Sequence, residues 1–313
     1  MQTKSSLVTP ILFLVFNRPE PTKAVFAAIR EAKPKKLYVA ADGPRDSKSG
    51  EQEKVKAIRD FISSNIDWDC ELVTLFREEN LGCKYAVSGA ITWFFEHEPM
   101  GIILEDDCLP NQSFFKFCSS LLSDYENDRR IWQIGGNNFG LNSSNKSEDY
   151  LYTRIPQIWG WATWRSRWQF YDAELANIEH IFNHKNAISK SLGLSRVEFD
   201  LMAGRYRKAA NKIIDTWDYQ WHATVIMNNG LCVLPTKNLI SNLGDGDDAT
   251  HTVQDASRTH LKTEELNFPL RITDHFMVDL EAQEYMKGKM RLKVSPTQKA
   301  IYFLKKYLLG HDV

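Results

Sequence analysis

The sequence predicts the α/β class, with a mostly parallel sheet flanked by helices and a more helical half after it. Three observations carry that expectation. Apolar runs alternate with segments of helical periodicity between residues 11 and 104, the order that builds a parallel sheet with crossover helices. Several of these runs are continuously apolar, as in strands buried on both faces. They end on polar clusters, and ligands of such sheets gather at the C-terminal ends of the strands.

The first run, "ILFLVF" (Ile11 to Phe16), stops at the turn signal Asn17-Arg18-Pro19. "TKAVFAAIREA" then reads as a helix. "KLYVAADGP" is a second strand ending at Asp42 before the breakers Gly43 and Pro44, and Val55, Ile58 and Ile62 recur at helical spacing after it. "ELVTLF" is the third strand and closes on Arg77. From Cys83 to Glu98, one helical face collects Ala86, Val87, Ala90, Ile91 and Phe94, and that helix delivers the chain into a fourth strand, "GIIL". Three consecutive carboxylates follow: Glu105, Asp106 and Asp107.

Beyond Pro110 the texture changes. Phe114, Phe115, Cys118, Leu121 and Leu122 mark an amphipathic helix, "IGGNNFG" a glycine turn, and "IWGWATWRSRW" a tryptophan cluster. The polar stretch "LNSSNKSED" reads as a mobile loop. "DTWDYQWHATVIMNNG", the short strand "LCVLP" and "SNLGDGDDATHT" come later.

With 39 basic and 40 acidic residues, the net charge is -1. No global field recruits nucleic acid, so local sites must carry the function. Five cysteines, an odd number without CxxC pairing, read as reduced packing residues. "PILFLVFNRP" is too short to span a bilayer and lacks a small-residue cleavage site, which makes the cytoplasm the expected compartment. In the tail, Ile301, Leu304, Tyr307 and Leu308 share a helical face with lysines nearby. That segment suits docking on the body, with peripheral contact on the inner face of a membrane as the alternative.

Three adjacent carboxylates repel one another, and a hard divalent cation relieves the repulsion. Alternation along a strand starts Glu105 and Asp107 on one face and Asp106 on the other. Because Mg2+ is usually held by one or two carboxylates together with phosphates, the matching ligand is a nucleoside diphosphate.

These residues resemble the glycosyltransferases of the GT-A fold, in particular the N-acetylglucosaminyltransferase I branch, whose acidic motif is also Glu-Asp-Asp after an apolar strand. The resemblance rests on Asn17-Arg18, the strand ending at Asp42, "REENLGCKYAV", "ILEDDCLP" and, more weakly, "WDYQW". The tryptophan segment and "SNLGDGDDATHT" are similar to bacterial glycosyltransferase-like proteins of surface-polysaccharide type. The resemblance implies a GT-A sheet with a nucleotide-sugar-binding half over 1–110, an acceptor-binding and catalytic half over 111–295, and an amphipathic helix over 296–313.

It also implies roles. Asp42 would read the nucleobase, Arg18 the diphosphate, Asp106 the ribose and Glu105 the donor sugar, with Asn17, Arg77 and Lys84 in the same donor-binding set. Asp107 and His251 would hold Mn2+ or Mg2+. Asp218 would be the general base. Apart from the resemblance, the aromatic rings of Trp159, Trp161 and Trp217 suit a platform for the acceptor. Each has a plainer reading: Asp218 as a helix cap, His251 as a surface histidine, Asp42 as a turn residue, the tryptophans as core.

The expected activity is metal-dependent, inverting sugar transfer from a nucleotide donor, a UDP-sugar by preference, to a glycan or lipid-linked acceptor. Two alternatives stand beside it. A sugar nucleotidyltransferase shares the fold, but "NRPEPTKA" replaces its glycine-rich loop. A glycan-binding protein without catalysis would have no need of the carboxylate triplet.

Overall fold

Five residues buried on both faces, Ile11–Val15, form β1 at the heart of the sheet in the computed structural model. The structure describes residues 6–244, 257–272, 275–297, 300 and 302–304. Next come α1 (Pro19–Ala32), β2 (Lys36–Ala41), α2 (Glu51–Ser64), β3 (Glu71–Phe76), α3 (Gly82–His97) and β4 (Met100–Glu105). Pro19 opens α1 with its φ already set and no amide hydrogen to leave unpaired. The strand-helix alternation expected from the sequence is what the chain forms.

The remaining elements are β5 (Cys108–Pro110), α4 (Gln112–Asp124), β6 (Ile131–Gly135), β7 (Tyr150–Thr153), β8 (Trp161–Trp164) and α5 (Arg165–Trp168). After them stand α6 (Glu179–Asn183), α7 (Lys185–Leu192), α8 (Arg196–Ala210), α9 (Asp218–Met227), β9 (Leu231–Pro235), β10 (Ile240–Asn242) and α10 (Leu280–Lys289).

The main sheet has the order β3-β2-β1-β4-β8-β6-β9-β7. Six of its eight strands run one way, and only β7 and β8 oppose them. This is a mixed, mostly parallel Rossmann-like sheet flanked by helices, the expected class. Leu14 pairs with Glu105, and Val15 with Ala41, so β1, β2 and β4 end along one line. That register sets Arg18, Asp42 and the carboxylate triplet on one rim.

Side-chain alternation builds a core on each face. Ile11, Phe13 and Val15 pack toward α1, α2 and α4, while Leu12 and Leu14 join Phe94, Trp161, Trp217 and Trp221 on the other side. A third cluster, including Phe199, Met202 and Met286, joins α8 and α10. A capping box between Ser195 and Glu198 starts α8.

Two expectations change. The tryptophan segment supplies β8, which inserts antiparallel beside β4; a four-residue strand is too short for its periodicity to announce it. The stretch Leu141 to Asp149 is not a free loop but is fastened at several points. Lys146 pairs with Asp279 at 2.6 Å, Asp149 pairs with Arg271 at 2.7 Å, and the Ser143 hydroxyl donates to the Thr236 carbonyl.

The five cysteines are free, as expected. Most of 296–313 lies outside the described residues. Tyr302 within it is buried, and its hydroxyl donates to Asp200 on α8. No helix among the described residues is long and apolar enough to cross a membrane.

Candidate active site

β4 keeps its extended geometry through Glu105, then turns at Asp106 and Asp107 into β5. β5 pairs antiparallel with β10, setting Asn242 opposite Cys108, and the Leu243 amide donates to the Asp107 carbonyl at 2.8 Å. Gly244 then passes so close to Asp107 that an added Cβ would collide with the carboxylate. Two strands thus fix the triplet instead of leaving it in a solvated loop.

Arg18, at the end of β1, binds across the triplet. Its Nε reaches Asp106 Oδ2 at 3.3 Å, a second nitrogen holds Asp106 Oδ1, and Nη1 donates to Asp107 Oδ2 at 2.9 Å. The surrounding carboxylates keep this guanidinium firmly protonated. Burial pushes the Asp106 carboxyl up even against the pull of Arg18.

Glu105 takes no part in this fork. It is half-buried, but Oε1 is shielded from solvent and has no hydrogen-bond partner among the described residues. Desolvation, then the charges of Asp107 and Asp106, raise its carboxyl to about 8. Asp218 adds to the rise, placing that carboxylate within electrostatic reach.

A cavity of about 480 Å³ lies here, lined by Arg18, Glu105, Asp107, Trp159, Trp217 and Asp218 among others. Glu105 and Asp107 line it and Asp106 does not. Residues from β1, β4, the approach to β8 and the start of α9 therefore meet in one space. Asp218 opens α9 and accepts a hydrogen bond from the Thr216 hydroxyl, so its carboxylate is oriented from its own turn.

The other expected residues stand elsewhere. Asn17 donates to Glu51 at 2.8 Å, and Arg45 holds that carboxyl down at about 2. Asp42 is buried and accepts the Leu81 amide at 3.1 Å, tying the end of β2 to the loop before α3. Arg77 donates to the Ala86 carbonyl at 3.1 Å and lies against α3. Lys84 is buried and pairs with Glu174 at 3.0 Å. Trp161 is wholly buried, its ring 5.7 Å from that of Trp217, so it packs the core and offers no sugar-facing surface. His251 lies outside the described residues, in the segment that leaves Gly244.

Two features here carry no local signal in the sequence. One is Asp215, whose carboxylate accepts the amides of Cys83 and Lys84, both at 2.9 Å, and so caps α3 from more than 130 residues away. Asp215 thus caps α3, while Asp218, three residues on, opens α9 and lines the cavity. We expect Asp215→Ala to lower stability by about 1 kcal/mol in urea denaturation, the usual weight of a lost cap. An unchanged midpoint would count against it. The other feature is a group of arginines, Arg205, Arg258 and Arg291, lining the same cavity.

Among the described residues, no group of three His, Cys, Asp or Glu side chains could hold a metal ion. Of the two residues expected to hold a cation, Asp107 lines the cavity and His251 lies outside the described residues.

No protein-family model and no curated protein sequence matches the chain. Among solved structures it is similar over 53% of its length to the mannosyltransferase PcManGT from Pyrobaculum calidifontis in complex with GDP-Man and Mn2+, at 14% identity and a TM-score of 0.34. It is similar over 52% to HddC from Yersinia pseudotuberculosis, covering 80% of that chain at 9% identity and a TM-score of 0.33. It is also similar over 52% to UDP-glucose pyrophosphorylase complexed with UDP-glucose, covering 78% of that chain at 11% identity and a TM-score of 0.30. The chain spans 47% of the length of the mannosyltransferase.

Proposed function

We propose that the chain is a metal-dependent, inverting glycosyltransferase that moves a sugar from a nucleotide donor, a UDP-sugar by preference, to a glycan or lipid-linked acceptor. One observation carries this reading: a single cavity joins Arg18, Glu105 and Asp107 at the sheet rim to Asp218 on α9. Sugar transfer needs both ends of that arrangement. The acceptor hydroxyl gives its proton to Asp218 as its oxygen bonds to the anomeric carbon. The bond from that carbon to the diphosphate breaks on the opposite face, and its electron pair leaves with the phosphate. Arg18 stabilises the negative charge gathering there.

A bound Mg2+ or Mn2+, held by Asp107 with His251 as a further ligand, would neutralise the departing diphosphate. Glu105 orients hydroxyls of the donor sugar, Asp106 fixes Arg18 on the ribose side from outside the cavity lining, and Trp159 and Trp217 wall the acceptor side. Asn17, Asp42, Arg77 and Lys84 are proposed to shape the donor end from outside the cavity lining. Surface-polysaccharide assembly is the setting we propose.

The reading is tested by melting the protein with UDP in Mg2+, in Mn2+ and in EDTA. At a UDP concentration about a hundred times Kd, linkage predicts about 2.7 kcal/mol of added stability, present with metal and absent in EDTA. Asp107→Ala should abolish the gain while the apo protein stays folded, because the deletion relieves crowding among carboxylates. Equal stabilisation in EDTA would refute the metal role.

A further inference from the structure

Three guanidinium groups line the cavity from the helical half of the molecule: Arg205 on α8, Arg258 in a turn at 257–258, and Arg291 just past α10. None belongs to the rim of β1 and β4, where Arg18 is engaged by Asp106 and Asp107. Each has contacts that hold it. Arg205 donates to the carbonyls of Met290 at 2.9 Å and Arg291 at 2.8 Å, partners that leave its charge undiminished. Arg258 lies 5.1 Å from the ring centre of Trp159 and 5.4 Å from that of Phe139.

Trp159, Asp218 and Arg258 also line an adjoining cavity of about 70 Å³, so the proposed base borders the basic wall. His222 faces that smaller space, with its Nδ1 bonded to the Tyr206 hydroxyl and its Nε2 buried without a partner.

We infer that this wall binds an acceptor carrying a negative charge, a carboxylate or a phosphate close to the hydroxyl that is glycosylated. The guanidinium fork matches the paired oxygens of either anion, and fixing it beforehand reduces the ordering cost of binding. The word acceptor rests on the transferase reading above; the anion site itself does not.

The test is calorimetric titration of methyl glucuronide, glucose 1-phosphate and methyl glucoside, each with and without saturating UDP and Mg2+. At least one charged sugar is expected to bind about tenfold or more tighter than the neutral one, the weight of one charge-assisted hydrogen bond. Which of the two is tighter tells carboxylate from phosphate. Arg205→Gln and Arg291→Gln should each erase the preference, and Arg205→Lys, which keeps the charge but not the fork, should keep only part of it, with UDP affinity near wild type throughout. Should the Arg205 variants not fold, Arg291→Gln carries the comparison.

Equal binding of charged and neutral sugars, or binding of none of them, overturns the inference. So does a loss that falls on UDP instead of the sugars, which would assign the arginines to the donor diphosphate. A wild type that prefers charged sugars yet fails to bind UDP upholds the anion site and removes the transferase reading.

Discussion

Asp218→Asn is expected to lower sugar transfer by about a hundred- to ten-thousand-fold while metal-dependent UDP binding stays near wild type, since that is the usual weight of a general base. The substitution keeps the shape of the side chain and an oxygen to accept the Thr216 hydroxyl, but removes the basic carboxylate. The first turn of α9 loses a favourable charge, worth about 0.3–1 kcal/mol, too little to unfold the chain. Rate and stability should therefore separate. Transfer within a few-fold of wild type would place the base elsewhere and take the support from inversion. Loss of folding together with UDP binding would make Asp218 a structural residue.

Arg18→Met should cost the folded protein about 2–4 kcal/mol, near the range for breaking a buried ion pair and discounted because the guanidinium is 20% exposed. The variant leaves Asp106 and Asp107 crowded beside Glu105 with no cation. Its pH dependence follows in sign. Burial already raises Asp106 in the folded state, and loss of Arg18 raises it further, so the folded variant holds protons that the unfolded chain has released. Stability of the variant should rise relative to wild type as the pH falls toward the ordinary carboxylate range. Urea denaturation at about pH 8 and about pH 5 should show the deficit shrinking at the lower value. An equal deficit at both would mean that Arg18 contributes packing alone.

The parallel half was legible because its signals are local. Continuous apolar runs gave β1, β2 and β4, helical spacing gave the helices between them, and polar residues after the strands marked the rim. Glu105, Asp106 and Asp107 could be placed on that rim because they follow directly on the apolar run of β4. What stayed hidden depends on contacts across long stretches of chain. Asp215 caps α3 from beyond 130 residues, and in sequence it differs little from Asp218 three positions later.

Arg77 and Lys84 stand near a strand end as a ligand-binding residue would, yet their side chains turn to α3 and Glu174. Trp159 and Trp161 are two residues apart, but β8 begins at the second, so one lines the cavity and the other is buried. Arg205 and Arg291 carry no local signal in the sequence, and only the packing of α8 against the residues just past α10 brings them to one cavity.

The most direct measurement is a panel of nucleotide sugars with Mn2+ or Mg2+ and charged and neutral acceptors, followed by release of nucleoside diphosphate and by NMR of the product's anomeric carbon. The expected result is one nucleoside diphosphate released per sugar transferred, with the anomeric configuration inverted and the turnover lost in EDTA. Formation of pyrophosphate from a nucleoside triphosphate and a sugar phosphate, with no sugar transferred to any acceptor, would contradict it and assign the cavity to nucleotidyl transfer.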